Sequence, residues 1–121
     1  MKQGILIIGH GSRAESAVEE FNKIVAMVKE NRPELKVEGA HMELAEPSIE
    51  TVSKNYYDDG VREIIALPYF LYEGVHIKED IPEILEEIEQ KYDGLKFKMA
   101  RPIGADPMIA KILLQRAEEF I

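Results

Sequence analysis

The chain alternates short, continuously apolar runs with stretches in which apolar residues recur every three or four positions, four times over. Ile5-Leu6-Ile7-Ile8, stopped by Gly9, has the pattern of a strand buried on both faces. Val18, Phe21, Val25 and Val28 follow at helical spacing, and Asn31-Arg32-Pro33 ends that helix. Residues 36–43 read as a second strand. Pro47 reads as the first-turn proline of a helix that runs to about residue 59, before Gly60. A third strand is predicted over 63–67, then a loop over 68–79. Asp80 is the expected N-cap of the next helix, with Glu83 completing a capping box and Ile81, Ile84, Leu85 and Ile88 forming its stripe. A fourth strand spans 95–99. Asp106-Pro107 opens the last helix, which places Ile109, Ile112, Leu113 and Phe120 on one face.

Strands alternating with helices imply parallel strands joined by right-handed crossovers. The expected fold is α/β, a single four-stranded, mainly parallel sheet with helices on both faces, flavodoxin-like. The 121 residues suit one domain, so residues 1–121 are taken as a single unit. In such sheets ligands bind beyond the carboxyl ends of the strands, where the strand order reverses.

Composition narrows the chemistry. With no cysteine, disulfides, thiolate nucleophiles and Cys-ligated clusters are excluded, and a metal must be held by His, Asp or Glu. Only three histidines exist: His10, His41 and His76. A formal charge of −8 gives no basic footprint for nucleic acid. No apolar run approaches the ~20 residues of a membrane span, and the run in MKQGILIIGHGS is too short for a signal peptide, so the cytoplasm is the expected location.

The strand ends gather the reactive side chains. Gly9-His10-Gly11-Ser12-Arg13 follows the first strand and a segment from Pro68 to His76 the third, which makes His10 and His76 a pair of candidate imidazole ligands on central strands. Imidazole suits cobalt, nickel, iron and zinc better than magnesium or calcium. The glycines beside His10 allow a sharp turn and close approach of a flat ligand. Glu43, at the end of the second strand, reads as a third metal contact or proton acceptor, or else as a carboxylate capping the next helix. His41, two residues earlier, falls on the same strand face as Glu43 and reads as a packed or hydrogen-bonded group behind the site, or else as a member of it. Tyr69, Phe70, Leu71 and Tyr72 offer an apolar wall. No G-x-G-x-x-G, Walker lysine or G-x-S-x-G elbow is present, so nucleotide binding and serine hydrolysis have no motif behind them.

Four motifs, in order, resemble the class II chelatases that act on sirohydrochlorin: Gly-His-Gly-Ser-Arg from Gly9, Glu-x-x-Glu-Pro-Ser-Ile from Glu43, Pro-x-Phe-Leu-x-x-Gly-x-His-x-x-x-Asp-Ile-Pro from Pro68, and Arg-Pro-Ile-Gly-x-Asp-Pro from Arg101. The resemblance covers essentially the whole chain. It implies ATP-independent insertion of cobalt(II), or of nickel(II) or iron(II), into sirohydrochlorin, with the metal a substrate and no prosthetic group. It carries metal binding onto His10 and His76, while the role at Glu43 differs between members; with the two histidines as ligands, the chemistry of insertion makes Glu43 the expected proton acceptor. Longer members have two lobes with the tetrapyrrole between them, so a single lobe implies a homodimer with the site in the cleft. A polycarboxylate macrocycle conflicts with the acidic chain unless cations line that cleft; Arg13, Lys78 and Arg101 are available near the strand ends, with Ser12 and Tyr69 and Phe70 as further substrate contacts. Two rival readings remain: a cobalt- or nickel-delivery protein using the same histidines, and a phosphate-binding module.

Overall fold

Leu6, Ile7 and Ile8 of the first strand, β1 (Gln3–Gly9), are all buried, as a run apolar on both faces requires. The computed structural model describes residues 2–121 and, of these, every side chain but those of His76 and Ile77. After β1 come α1 (Glu15–Asn31), β2 (Val37–His41), α2 (Ile49–Asp58) and β3 (Glu63–Pro68). A π-helical turn, His76–Asp80, then runs into α3 (Ile81–Lys91), followed by β4 (Lys96–Met99) and α4 (Pro107–Glu118).

The strands form one parallel sheet in the order β2-β1-β3-β4. The chain steps one way from β1 to β2 and the other way from β3 to β4, so the strand order reverses between β1 and β3. The expected α/β fold with helices on both faces is what the structure has. On one face α1 supplies Phe21 and Val25 against Ile7 and Val37. On the other, α2 and α3 bring Ile49, Val52, Tyr56, Ile81, Leu85 and Ile88 onto Leu6, Ile8, Ile64 and Ala66. The Tyr56 hydroxyl, buried in this second layer, donates to the Ile5 carbonyl at 2.9 Å.

Three element ends differ from the sequence reading. β2 stops at His41, and Glu43 lies beyond it in a loop where Leu44 takes a left-handed φ of 66°. The strand cannot continue, because the chain turns back there: the His41 N–H donates to the Pro47 carbonyl at 2.9 Å. His41 and Glu43 therefore do not share a strand face; His41 is 3 % exposed, whereas Glu43 is open to solvent. Pro47 precedes α2 instead of opening it. The cap is Ser48, whose Oγ accepts from the Thr51 N–H at 3.1 Å. Asp80 does not cap α3. It is already helical (φ −68°, ψ −48°), because the chain turns helical upstream, where the Lys78 N–H donates to the Gly74 carbonyl at 3.0 Å and the π-helical turn runs straight into α3. Asp106 caps α4 as expected, its carboxylate accepting from the Met108 N–H at 2.9 Å.

Candidate active site

The carboxyl end of β1 is held against the loop after β2 by main-chain bonds. The Met42 N–H donates to the Gly9 carbonyl at 2.9 Å, and the Glu43 N–H to the His10 carbonyl at 3.3 Å. Gly11 (φ +100°) makes this approach feasible: a Cβ there would fall 1.7 Å from the Glu43 carbonyl oxygen. A Cβ on Gly9 would meet the Phe21 ring at 2.8 Å. The protein's own packing thus requires both glycines beside His10.

That packing brings two predicted groups together. His10 Nε2 and Glu43 Oε1 are 3.4 Å apart, ion-pair distance once the imidazole is protonated. Both side chains are about half exposed, so the pair faces solvent rather than the core. The Phe70 ring meets His10 edge-on, with centroids 6.3 Å apart and planes at 89°. Glu43 does not cap the following helix; Ser48 does, which removes the alternative reading of that carboxylate.

Behind His10 lies a cavity of about 160 Å³ lined by Ser12, Val18, Phe21, His41 and Tyr69 among others. The His41 ring packs on Phe21 at a centroid distance of 4.8 Å, and Phe21 on Tyr69 at 6.0 Å. Burial holds the His41 pKa below its ordinary 6.5, with the Glu46 charge opposing in part. His41 is therefore the packed group behind the site that its position suggested. The sequence reading missed Phe21 and Val18, which it assigned to a core stripe. A usable signal was Gly39 in mid-strand, where a Cβ would strike Phe21 at 2.8 Å.

The remaining predicted residues lie in the loop after β1, in the segment between β3 and α3, and after β4. Ser12 is half-buried and its Oγ accepts from the Ala14 N–H at 3.0 Å; Arg13, Lys78 and Arg101 are exposed cations. Tyr69, Leu71 and Tyr72 are exposed, and the loop that holds them is tied to the segment after β4, with Ile103 and Gly104 N–H groups donating to the Phe70 and Leu71 carbonyls at 3.0 and 2.9 Å. His76 opens the π-helical turn after β3, but its side chain lies outside the described residues. Among the described residues, His10 and Glu43 set two side chains of types that can ligate a metal side by side, and no cluster of three or more is formed. A larger hollow of about 810 Å³ runs along β2 between α1 and α2. Its lysines are already engaged, Lys29 with Glu38 and Lys36 with Asp59.

A parallel α/β sheet with an imidazole and a carboxylate beside its point of strand reversal defines a protein whose chemistry sits at the strand ends. Over residues 4–120 the sequence matches the CbiX family, and the chain belongs to it. It is 36 % identical to the sirohydrochlorin cobaltochelatase of Methanosarcina acetivorans, across 99 % of this chain and 98 % of that one. It is 32 % identical to the sirohydrochlorin ferrochelatase of Bacillus subtilis, across 99 % of this chain but 46 % of the relative. Among solved structures, the sirohydrochlorin chelatase SirB from Bacillus subtilis subspecies spizizenii in complex with cobalt superposes with a TM-score of 0.93 at 32 % identity, covering 99 % of this chain and 51 % of SirB. The chain thus spans nearly all of the archaeal relative and about half of the two Bacillus proteins.

Proposed function

We propose that this chain is a metallochelatase that inserts a divalent transition metal, cobalt(II) first and nickel(II) or iron(II) as alternatives, into sirohydrochlorin without ATP, as a step of cobalamin or related tetrapyrrole synthesis. The observation that carries the reading is the pairing of His10 with Glu43 across two loops at the carboxyl edge of the sheet. Full-length similarity to a sirohydrochlorin cobaltochelatase supports it. The relatives include both cobalto- and ferrochelatases, and affinities of imidazole sites follow the general order of the metals, so supply and geometry select the metal.

Insertion requires the metal to shed water and the macrocycle to lose two pyrrolic protons. A neutral imidazole holds a metal and leaves positions open towards the ring. His10 and His76 take that part. Glu43, beside His10 and in solvent, accepts a proton and passes it to water. Phe70 and Tyr69 stand where an aromatic face would lie, and Arg13, Lys78 and Arg101, with Ser12, answer the carboxylates of the substrate.

The cavity behind His10, at about 160 Å³, is too small for a tetrapyrrole, since even drug-sized ligands occupy pockets of roughly 300–1,000 Å³. The macrocycle must lie over the open edge, and one lobe supplies one wall. This favours residues 1–121 as a single lobe and a homodimer whose cleft forms the site. No helix among the described residues is long and apolar enough to cross a membrane; the proposed location is the cytoplasm.

The test is anaerobic incubation with sirohydrochlorin and each metal in turn, following the visible spectrum, with His10→Ala, His76→Ala and no protein as controls. Acceleration over the spontaneous rate, lost in both variants, is the expected result. Tight cobalt or nickel binding with no acceleration would replace the chelatase by a metal-delivery protein.

A further inference from the structure

Among the described residues Leu44 is the one non-glycine residue with a positive φ, 66°. The chain closes a three-residue turn on it, with the Ala45 N–H donating to the Glu43 carbonyl at 2.9 Å. A turn of that size with a positive φ at its centre is the rare, strained form. Glycine enters this region freely and asparagine readily, whereas a branched side chain does not. Nor does the core call for leucine. The side chain is 50 % exposed and belongs to neither core cluster, while Met42 of the same segment packs against one of them. A strained position thus holds an apolar side chain out in water, and strain of this kind collects at functional sites.

The strand order supplies a reason. β1 lies between β2 and β3, so His10, which follows β1, stands between the loop after β2 and the loop after β3. The first of these carries Leu44. The second carries Tyr69, Leu71 and Tyr72, which are 42 %, 49 % and 80 % exposed. Neighbouring strands lie about 4.8 Å apart, which sets the two loops roughly 10 Å from each other across His10. Among the described residues outside α4 and the two residues that end the chain, every large exposed apolar side chain but Met27 is on these two loops. Exposed apolar groups gathered on either side of one imidazole mark a place where a flat apolar ligand rests.

We propose that Leu44 is a specificity-determining contact, the β2-side wall on which the ring system of the tetrapyrrole lies, opposite the wall formed by the loop after β3. The inference rests on the chelatase reading above and adds a substrate contact to it. The turn ties this wall to the reacting groups. It begins at Glu43, whose carboxylate is 3.4 Å from His10 Nε2. Its main chain is held from two sides: the Glu43 N–H donates to the His10 carbonyl at 3.3 Å, and the Glu43 carbonyl packs on Gly11. Leu44, Glu43 and His10 are therefore fixed relative to one another, and a ring resting on Leu44 is set over both the imidazole and the carboxylate. An isobutyl group meets ring carbons and offers nothing to carboxylate arms, so it selects the macrocycle by its apolar face and not by its charge.

The test compares the full-length parent with Leu44→Ala, Leu44→Met and Leu44→Gly. Each is titrated anaerobically with metal-free sirohydrochlorin, followed by its visible spectrum, and separately with cobalt(II) alone, by calorimetry. Leu44→Ala keeps a Cβ in the turn and loses the rest of the side chain. Its dissociation constant for sirohydrochlorin should rise about tenfold, with cobalt(II) affinity unchanged. Leu44→Met, which restores apolar reach, should bind the tetrapyrrole nearly as the parent does. Leu44→Gly relieves the strain, so its urea midpoint should equal or exceed the parent's while its sirohydrochlorin affinity falls as in Leu44→Ala. Parent-like tetrapyrrole binding by Leu44→Ala would overturn the proposal. Equal losses of tetrapyrrole and cobalt affinity, or a lowered urea midpoint in Leu44→Gly, would reduce Leu44 to a support of the loop and overturn it as well. A parent that does not bind sirohydrochlorin would remove the chelatase reading itself. A parent that binds and metallates it, with Leu44→Ala doing both equally well, would remove this inference alone.

Discussion

Gly11 and Glu43 are in contact backbone to backbone, so close that a single added carbon on Gly11 would overlap the Glu43 carbonyl. The contact seats Glu43 beside His10, and the left-handed φ of Gly11 (+100°) disfavours any other residue there. Gly11→Ala should therefore cost at least about 2 kcal/mol of stability, from backbone strain and forced displacement of the loop. Urea unfolding measures the first effect. Chelatase turnover should fall further than stability explains, because the His10–Glu43 spacing is lost.

Metal holding and proton acceptance separate at Glu43. If the carboxylate takes pyrrolic protons, Glu43→Gln keeps the shape of the side chain and removes its basicity. Cobalt(II) affinity should then change little, while kcat falls by about 10²–10⁴. His10→Ala should weaken metal binding itself. Calorimetric titration with cobalt beside steady-state rates distinguishes the two, and a Glu43→Gln variant that no longer binds metal would make Glu43 a ligand.

The alternation of apolar runs and helical stripes made the parallel α/β sheet legible, because Ile5–Ile8 and the Phe21–Val25 stripe answer to local periodicity alone. The strand ends were legible as a group for the same reason: topology delivers His10 and the loop after β3 to one edge. What local pattern could not supply was the turn after His41. Met42 and Glu43 continue an extended-looking stretch, and it breaks at the left-handed Leu44, from which the chain returns to place the Pro47 carbonyl on the His41 N–H. The approach of Gly11 to Glu43 is a contact between loops 32 positions apart in sequence, which no window of neighbouring residues contains. Asp80 misled in the opposite way. Its capping signature was sound, but the π-helical turn upstream had already supplied the helix start.

Arg13 is exposed on the loop that carries His10, and in the proposed function it meets substrate carboxylates without touching the reacting nitrogens. Binding that is equal in ground and transition states changes KM and leaves kcat. Arg13→Ala should thus raise the apparent KM for sirohydrochlorin more than it lowers kcat, and added salt should narrow the difference from the parent. An unchanged KM with a collapsed kcat would give Arg13 a part in the chemistry.

His41 gives the fold a dependence on pH. It is 3 % exposed against Phe21, and burial lowers its pKa in the folded chain below the 6.5 of the unfolded one. Between those two values the unfolded state binds the proton and the folded state does not, so unfolding is favoured as pH falls. Above pH 6.5 both states hold a neutral ring, and the full stability is present. Stability should decline as pH drops through 6.5 towards the lowered value and level off below it, as far as this group is concerned. His41→Phe keeps an aromatic ring on Phe21 and removes the titration. Urea unfolding at pH 7.5 and 5.5 should show a smaller acid loss for His41→Phe than for the parent. Equal losses would mean that His41 stays in contact with water and titrates alike in both states.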